Sequence, residues 1–365
     1  MEKNKKKSSM KGWILISCAF LVLICAAVYF AQKKSDDGVK TREVTLTDLG
    51  FDTPVTFSAT ASEEDFKSYL ATLIKVFTEN NQRFDQYNSY EGLNNIYTLN
   101  HEAADHPVEV DDSILSLLKD SAYYMEQNPK FDITEGRILS LWHDAREAET
   151  PYVPAAADIE AAKEHTGLDG IIIDGNSVSF SDESVQLDLG AIAKGYTAGL
   201  AAEALKAQGL DNGYINAGGN VVLLGEKTDG SDWVIGIQSP DASGSVVQLV
   251  TKEPVCMVTS GDYQRYFEVD GKRYSHIIDP DTGYPVEYMR SVTVIGDDSE
   301  ACDAESTTLF LMPVKESMAY AKSHDIEAVW ITDKGDETGV EPTYTTEQYD
   351  VYVSDGLKDR IRLSN

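Results

Sequence analysis

Residues 13–31 (WILISCAFLVLICAAVYFA) carry no charged side chain. Nineteen residues in a helix span roughly 28 Å, close to a bilayer's hydrocarbon core. Lys3, Lys5, Lys6, Lys7 and Lys11 precede the run, and Lys33 and Lys34 close it. The denser positive flank comes first, which orients the N-terminus inward and whatever folds after the run outward. A core helix shows an apolar stripe, whereas this run is apolar on every side. The expected organisation is a cytoplasmic basic tail over 1–12, a transmembrane anchor over 13–31, a polar linker over 32–45, and one folded body over 46–365. The body then lies on the extracytoplasmic side of the cell membrane. Two other fates of the segment are less favoured. A cleaved signal peptide has a shorter apolar stretch and a small-residue cut site, and no A-x-A site is present. Leu15-Ile16-Ser17-Cys18 fits a lipidation box locally, but the apolar run continues well past it.

The body is strongly acidic. Of 31 basic and 61 acidic residues, eight and three fall within residues 1–40, leaving 23 against 58 beyond. Such a surface repels nucleic acid and anionic lipid, so no nucleic-acid partner is expected and membrane contact is assigned to the N-terminal helix. Hydrophobic residues make up 42% of the chain, enough for a sizeable core. Cys18 and Cys25 lie in the apolar run; Cys256 and Cys302 lie in the body, without the spacing of a zinc site. Whether these last two form a disulfide is left open by the sequence.

Local patterns give a mixed architecture. A strand is expected from Pro54 to Ala59. Ser62 caps a helix with Phe66, Leu70, Leu73, Ile74 and Phe77 at helical spacing, and Ile114 to Met125 form a second. Asp174-Gly175-Asn176 and Asp270-Gly271 are hairpin turns. Gly190 to Leu205 and Ala304 to Leu311 read as helices, and Glu327 to Thr332 as a late strand. Strands and helices do not alternate regularly, so the fold class is α+β rather than a doubly wound sheet.

Four segments carry chemistry. In Leu187-Asp188-Leu189-Gly190-Ala191-Ile192-Ala193-Lys194-Gly195-Tyr196, a carboxylate precedes a small-residue turn that opens a helix. Such a helix start offers free N–H groups to a phosphate, and Lys194 adds a cation. Asn216-Ala217-Gly218-Gly219-Asn220 allows close backbone approach. Thr259-Ser260-Gly261-Asp262-Tyr263 and Tyr274-Ser275-His276-Ile277-Ile278-Asp279-Pro280-Asp281-Thr282-Gly283 place one histidine in a dense polar setting. In Cys302-Asp303-Ala304-Glu305-Ser306-Thr307, Asp303 and Thr307 are four apart and share a helix face. A carboxylate with a hydroxyl makes an oxygen-only half-site suited to Mg²⁺. Each segment alone has an ordinary reading as a packed helix, a hairpin turn, a structural histidine or a capped helix.

Together, and in this order, these segments resemble the ApbE family of FAD:protein FMN transferases, over residues 46 to near the C-terminus. Lys130-Phe131-Asp132-Ile133-Thr134 and Phe84 to Tyr87 with Asn94 to Asn100 resemble earlier elements of the family. Two places depart from its pattern: the stretch Asp85 to Asn95, and Glu135-Gly136-Arg137, where Val-Gly-Pro is common. The resemblance implies a single T-fold-like catalytic domain of mixed sheets and helices behind the anchor. It implies Mg²⁺ held by the Ala191 carbonyl, Asp303 and Thr307, and FAD contacts from Asp188, Lys194, Lys130, Phe131, Asp132, Tyr87, Phe51 and Ile277. The implied reaction moves the FMN half of FAD onto a Ser or Thr hydroxyl of an exported acceptor protein and releases AMP. His276 is the candidate base, and transfer is then expected to fade as pH falls through the imidazole pKa, roughly 6.5 before any effect of the site. Two alternatives keep the cleft and change the outcome: an FAD diphosphatase giving FMN and AMP, and a non-catalytic flavin-binding surface protein.

Overall fold

Segments such as Asn220–Leu223, Ser291–Gly296 and Tyr349–Val353 are buried at nearly every position, a pattern that suits strands covered on both faces. They belong to one nine-stranded antiparallel sheet. Its strands are β1 (Lys40–Leu46), β2 (Val55–Ala61), β3 (Tyr214–Ala217), β4 (Asn220–Leu223), β5 (Cys256–Gly261), β6 (Ser291–Gly296), β7 (Glu327–Asp333), β8 (Tyr344–Thr345) and β9 (Tyr349–Val353). In space they follow chain order except that β9 lies between β7 and β8. The computed structural model describes residues 38–128 and 130–364. The expected anchor, residues 13–31, lies outside them. Among the described residues no helix is long and apolar enough to cross a membrane.

The helices are α1 (Glu63–Phe84), α2 (Ile96–Glu102), α3 (Asp112–Gln127), α4 (Gly136–Glu147), α5 (Ala156–Lys163), α6 (Ala193–Ala207), α7 (Ser299–Phe310) and α8 (Val314–Ser323). Alternate residues along the strands serve two cores. On one face, Phe57, Val258, Val294, Trp330 and Tyr352 pack on α1 through Leu73 and Phe77, on α6 through Ala198 and Ala201, and on α7 through Leu309 and Phe310. On the other, Met257, Ile295, Val329 and Val351 pack on Val247, Leu249 and Ile361 of a three-stranded sheet, residues 233–238, 245–251 and 361–363. A third core joins α2 and α3 to Phe131, Val178 and Leu187. A fourth gathers Ile138, Trp142, Ile159, Phe267 and Ile278. There the Trp142 ring stacks on Tyr274 with centroids 5.6 Å apart, and its N–H donates to the Gly283 carbonyl at 2.8 Å.

The mixed α+β class holds, as do the Ser62 cap and both hairpins. Three boundaries move for local reasons. Residues 40–45, read as linker, pair with β2 from Lys40↔Ala61 onward, so the described fold begins at an edge strand. The Ala-rich helix opens at Ala193, because residues 190–192 form a turn. The helix carrying Asp303 opens at Ser299, where the Asp298 carboxylate accepts the Glu300 and Ala301 N–H groups; Asp303 is therefore mid-helix and not a cap. Cys256 and Cys302 are both buried and free, so no disulfide joins them.

Helix α7 also carries Glu300 and Glu305, whose carboxyls burial pushes up to about 8 and about 7. For Glu300, Asp120 and Asp298 add to the shift. A raised carboxyl favours folding while protonated, and that contribution is lost as pH rises through the shifted values. The melting temperature is therefore expected to fall between about pH 4.5, the ordinary glutamate value, and about pH 8, the higher of the two shifted values. Replacing both residues by glutamine should flatten that decline; an unchanged slope in the double variant rejects the assignment.

Candidate functional site

The cleft is assembled from segments far apart in the chain, and its scaffold is the polypeptide backbone. The Asn100 side chain donates to the Leu187 carbonyl at 2.9 Å and accepts the Leu187 N–H at 2.8 Å. Asp188 N–H donates to the Ile133 carbonyl at 2.9 Å. The Asp188 carboxylate then accepts the Gly190 N–H at 2.7 Å and a hydrogen bond from the Gln86 amide. These bonds fix the turn that starts α6. In the first turn of α6, the Gly195 N–H donates to Asp303 Oδ2 at 2.8 Å. This is one of the donors that every helix start leaves without an internal partner. Position 195 must be glycine, since a Cβ there would lie 2.3 Å from the Ser299 carbonyl oxygen and 2.5 Å from Asp303 Cβ.

Asp303 is 4% exposed. Burial raises its pKa, while Lys194, the Gly195 N–H and Asn220 work in the other direction. Ser306 Oγ donates to the Asp303 carbonyl at 3.0 Å and lies 2.9 Å from Ser260 Oγ, which locks α7 to β5. Thr307 Oγ1 lies 3.5 Å from Ser260 Oγ. Ala191, Asp303 and Thr307 all line the cleft. Among the described residues no group of three or more His, Cys, Asp or Glu is placed to hold a metal. A half-site of one carboxylate, one hydroxyl and one carbonyl would need anionic oxygens from a ligand to fill a Mg²⁺ shell. Asn220 also lines the cleft, with its side chain beside Asp303.

His276 lies across the same cleft. Its Nδ1 is 3.1 Å from the Arg265 carbonyl oxygen. A carbonyl only accepts, so Nδ1 carries the proton and Nε2 keeps its lone pair. Burial, then the charges of Arg265 and Lys194, hold its pKa down to about 3. This corrects the acid limb expected near pH 6.5: the imidazole stays neutral throughout the physiological range.

Every other residue singled out from sequence lines the cleft except one. Asp188, Lys194, Lys130, Phe131, Asp132, Tyr87 and Ile277 are all on its wall. Lys130 Nζ bonds Asp279 at 2.6 Å and Asp281 at 2.8 Å. Phe51 is not on the wall. Its ring packs edge-on against Phe77 at 6.2 Å, in the seam between two cores. Sequence reasoning passed over Trp142, His143 and Arg146 of α4, and Gln264 and Arg265. The α4 residues had no local signal, since they meet the cleft only through long-range packing. Arg265 had one, lying just beyond Thr259-Ser260-Gly261-Asp262-Tyr263.

The cleft joins aromatic walls, among them Tyr87, Phe131 and Trp142, to a polar, phosphate-suited end. Fold and cleft together define an α+β protein in which a helix start faces a carboxylate–hydroxyl pair, an arrangement able to take an extended phosphate ligand. Residues 51–330 match the ApbE family. An FAD:protein FMN transferase of Vibrio cholerae is 33% identical over 256 residues, covering 69% of this chain and 77% of its own length. One of Treponema pallidum is 31% identical over 314 residues, covering 80% and 82%. Among solved structures, the ApbE protein of Thermotoga maritima superposes with a TM-score of 0.72 at 30% identity, covering 80% of this chain and 94% of its own. The flavin transferase ApbE of Vibrio cholerae does so with a TM-score of 0.73 at 26% identity, covering 88% and 100%. The chain belongs to the ApbE family and is an enzyme of the transferase class.

Proposed function

We propose that this enzyme transfers the FMN moiety of FAD to a Ser or Thr hydroxyl of an acceptor protein and releases AMP. The observation that carries the reading is one cleft holding both a neutral, tautomer-fixed His276 and the Asp303–Thr307 pair. A binding protein needs neither a base nor a metal half-site. The Ala191 carbonyl, Asp303 and Thr307 would hold Mg²⁺, which when bound supplies positive charge to the diphosphate oxygens. The start of α6 and Lys194 orient the phosphates. His276 Nε2 takes the proton of the acceptor hydroxyl. The hydroxyl oxygen bonds to the flavin-side phosphorus, the phosphoanhydride bond to the AMP phosphate breaks, and AMP departs with its electron pair.

The test is to incubate the full chain with FAD, Mg²⁺ and a Ser/Thr acceptor peptide. Flavin fluorescence on the peptide with equimolar AMP is expected. AMP with free FMN and no labelled peptide identifies a diphosphatase, and bound FAD without turnover identifies a flavin carrier.

The uncharged run 13–31 motivates a second element of the proposal: the body acts on the extracytoplasmic face, on an exported acceptor. The full chain is expected to sediment with membranes and to resist alkaline extraction, while a chain starting at Asp36 remains in the supernatant. Recovery of the intact full chain from the soluble fraction rejects the anchor.

A further inference from the structure

Glu135 is a buried acid that the mechanism above leaves without a task. It occupies the position before the first residue of α4, with φ −76° and ψ 8°, yet its side chain makes no cap hydrogen bond. It is 4% exposed and lines the cleft alongside Phe131, Leu139, Trp142 and Ile278. Among the described residues no side-chain hydrogen bond or ion pair is formed by its carboxyl, and Lys130 acts on it only as a nearby opposite charge. Burying a polar group without a partner is costly, and natural folds rarely leave one unmatched.

The backbone holds it there. Gly136 N–H donates to the Gln186 carbonyl at 3.0 Å, and Leu139 N–H donates to the Glu135 carbonyl at 2.9 Å. Gly136 sits so close to residue 186 that a Cβ would lie 2.6 Å from the Gln186 carbonyl oxygen. The main chain on both sides is therefore fixed.

Burial raises the Glu135 pKa well above the ordinary glutamate value, and Asp132, Asp188 and Asp279 raise it further against the opposing charge of Lys130. The protonated, carboxylic acid form is thereby favoured. It then offers a donor and an acceptor side by side, which a carboxylate does not. Two parts of FAD present the complementary pair on a flat edge: the adenine, with an amino group beside a ring nitrogen, and the isoalloxazine, with a ring N–H beside a carbonyl. The apolar and aromatic members of the cleft wall, Phe131, Leu139, Trp142 and Ile278, suit a flat ring.

We propose that Glu135 is a ring-recognising residue of the cleft, pairing as donor and acceptor with the hydrogen-bonding edge of one heteroaromatic ring of FAD. This rests on the reading that FAD fills the cleft. The test compares full-length wild type with Glu135→Gln, which keeps a donor–acceptor pair, and Glu135→Met, which keeps the length and loses both. Affinities are measured for FAD, FMN and AMP, each with Mg²⁺, alongside a thermal melt. Glu135→Gln is expected to bind all three within about twofold of wild type. Glu135→Met should lose about tenfold for FAD, the worth of one hydrogen bond, and the same for only one of the two fragments. Loss confined to AMP assigns the adenine; loss confined to FMN assigns the isoalloxazine. Unchanged binding by Glu135→Met, equal loss for both fragments with an early melt, or equal loss in Glu135→Gln and Glu135→Met overturns the proposal. Wild type that binds none of the three rejects the flavin reading of the cleft, and this inference with it.

Discussion

Replacing Asp303 by alanine is expected to lower flavin transfer by about a thousandfold or more, since the charge supplied to a phosphoryl group by a bound metal is worth several kcal/mol. Asp303 is the charged member of the proposed half-site, to which Ala191 would contribute a carbonyl and Thr307 a hydroxyl; all three line the cleft. The alanine variant also strands the Gly195 N–H, which donates to Asp303 Oδ2. An early melt in that variant alone is therefore ambiguous. Asp303→Asn resolves it, because the amide oxygen still accepts from Gly195 while the charge is gone. The asparagine variant should melt close to wild type, need far more Mg²⁺ for half-maximal rate, and remain severely slowed at saturation. Full activity of either variant at limiting Mg²⁺ rejects the metal assignment.

The second large effect is at His276. Alanine there should reduce the rate by about 10²–10⁴ and leave FAD affinity nearly intact, the signature of a lost proton acceptor. The pH profile adds a sharper criterion. A histidine held down to about 3 is neutral throughout the assay range. The contribution of a base with a lowered pKa is present above that value and lost only as pH falls toward it. The ratio of wild-type to His276→Ala rates should accordingly stay flat from about pH 7 to about pH 5.5. A ratio that collapses near the ordinary imidazole value of about 6.5 shows that the site does not hold the ring neutral. A variant that melts normally, binds FAD normally and transfers at the wild-type rate removes His276 from the chemistry.

What the sequence made legible follows from how local each signal is. The Ala-rich helix start, the Asp303–Thr307 spacing and the polar setting of His276 are short-range patterns, and the fold brings all three to one cleft. β1 was harder, because an edge strand with one open face has the composition of a linker: KTREVTL is mostly polar, and only its pairing with β2 declares it. Phe51, which the resemblance places among the FAD contacts, is not on the cleft wall. It adopts φ 56° in a tight turn and spends its ring on Phe77, a use that no local pattern reveals. The α4 wall was invisible because its contacts span long separations, as between Trp142 and Gly283. Glu135 was visible only as a departure from the family's pattern, and its burial gives that departure a meaning.

The imidazole of His276 is oriented by a main-chain oxygen, that of Arg265, and not by a neighbouring carboxylate. A carboxylate partner is a side chain that substitution can delete, whereas a peptide carbonyl persists through any exchange at its own position. Residue 265 acts on His276 twice: its main-chain carbonyl sets the tautomer, and its guanidinium, at the cleft and 3.6 Å from Asp52, adds positive charge that helps keep the ring neutral. A substitution there leaves the first effect in place and removes the second.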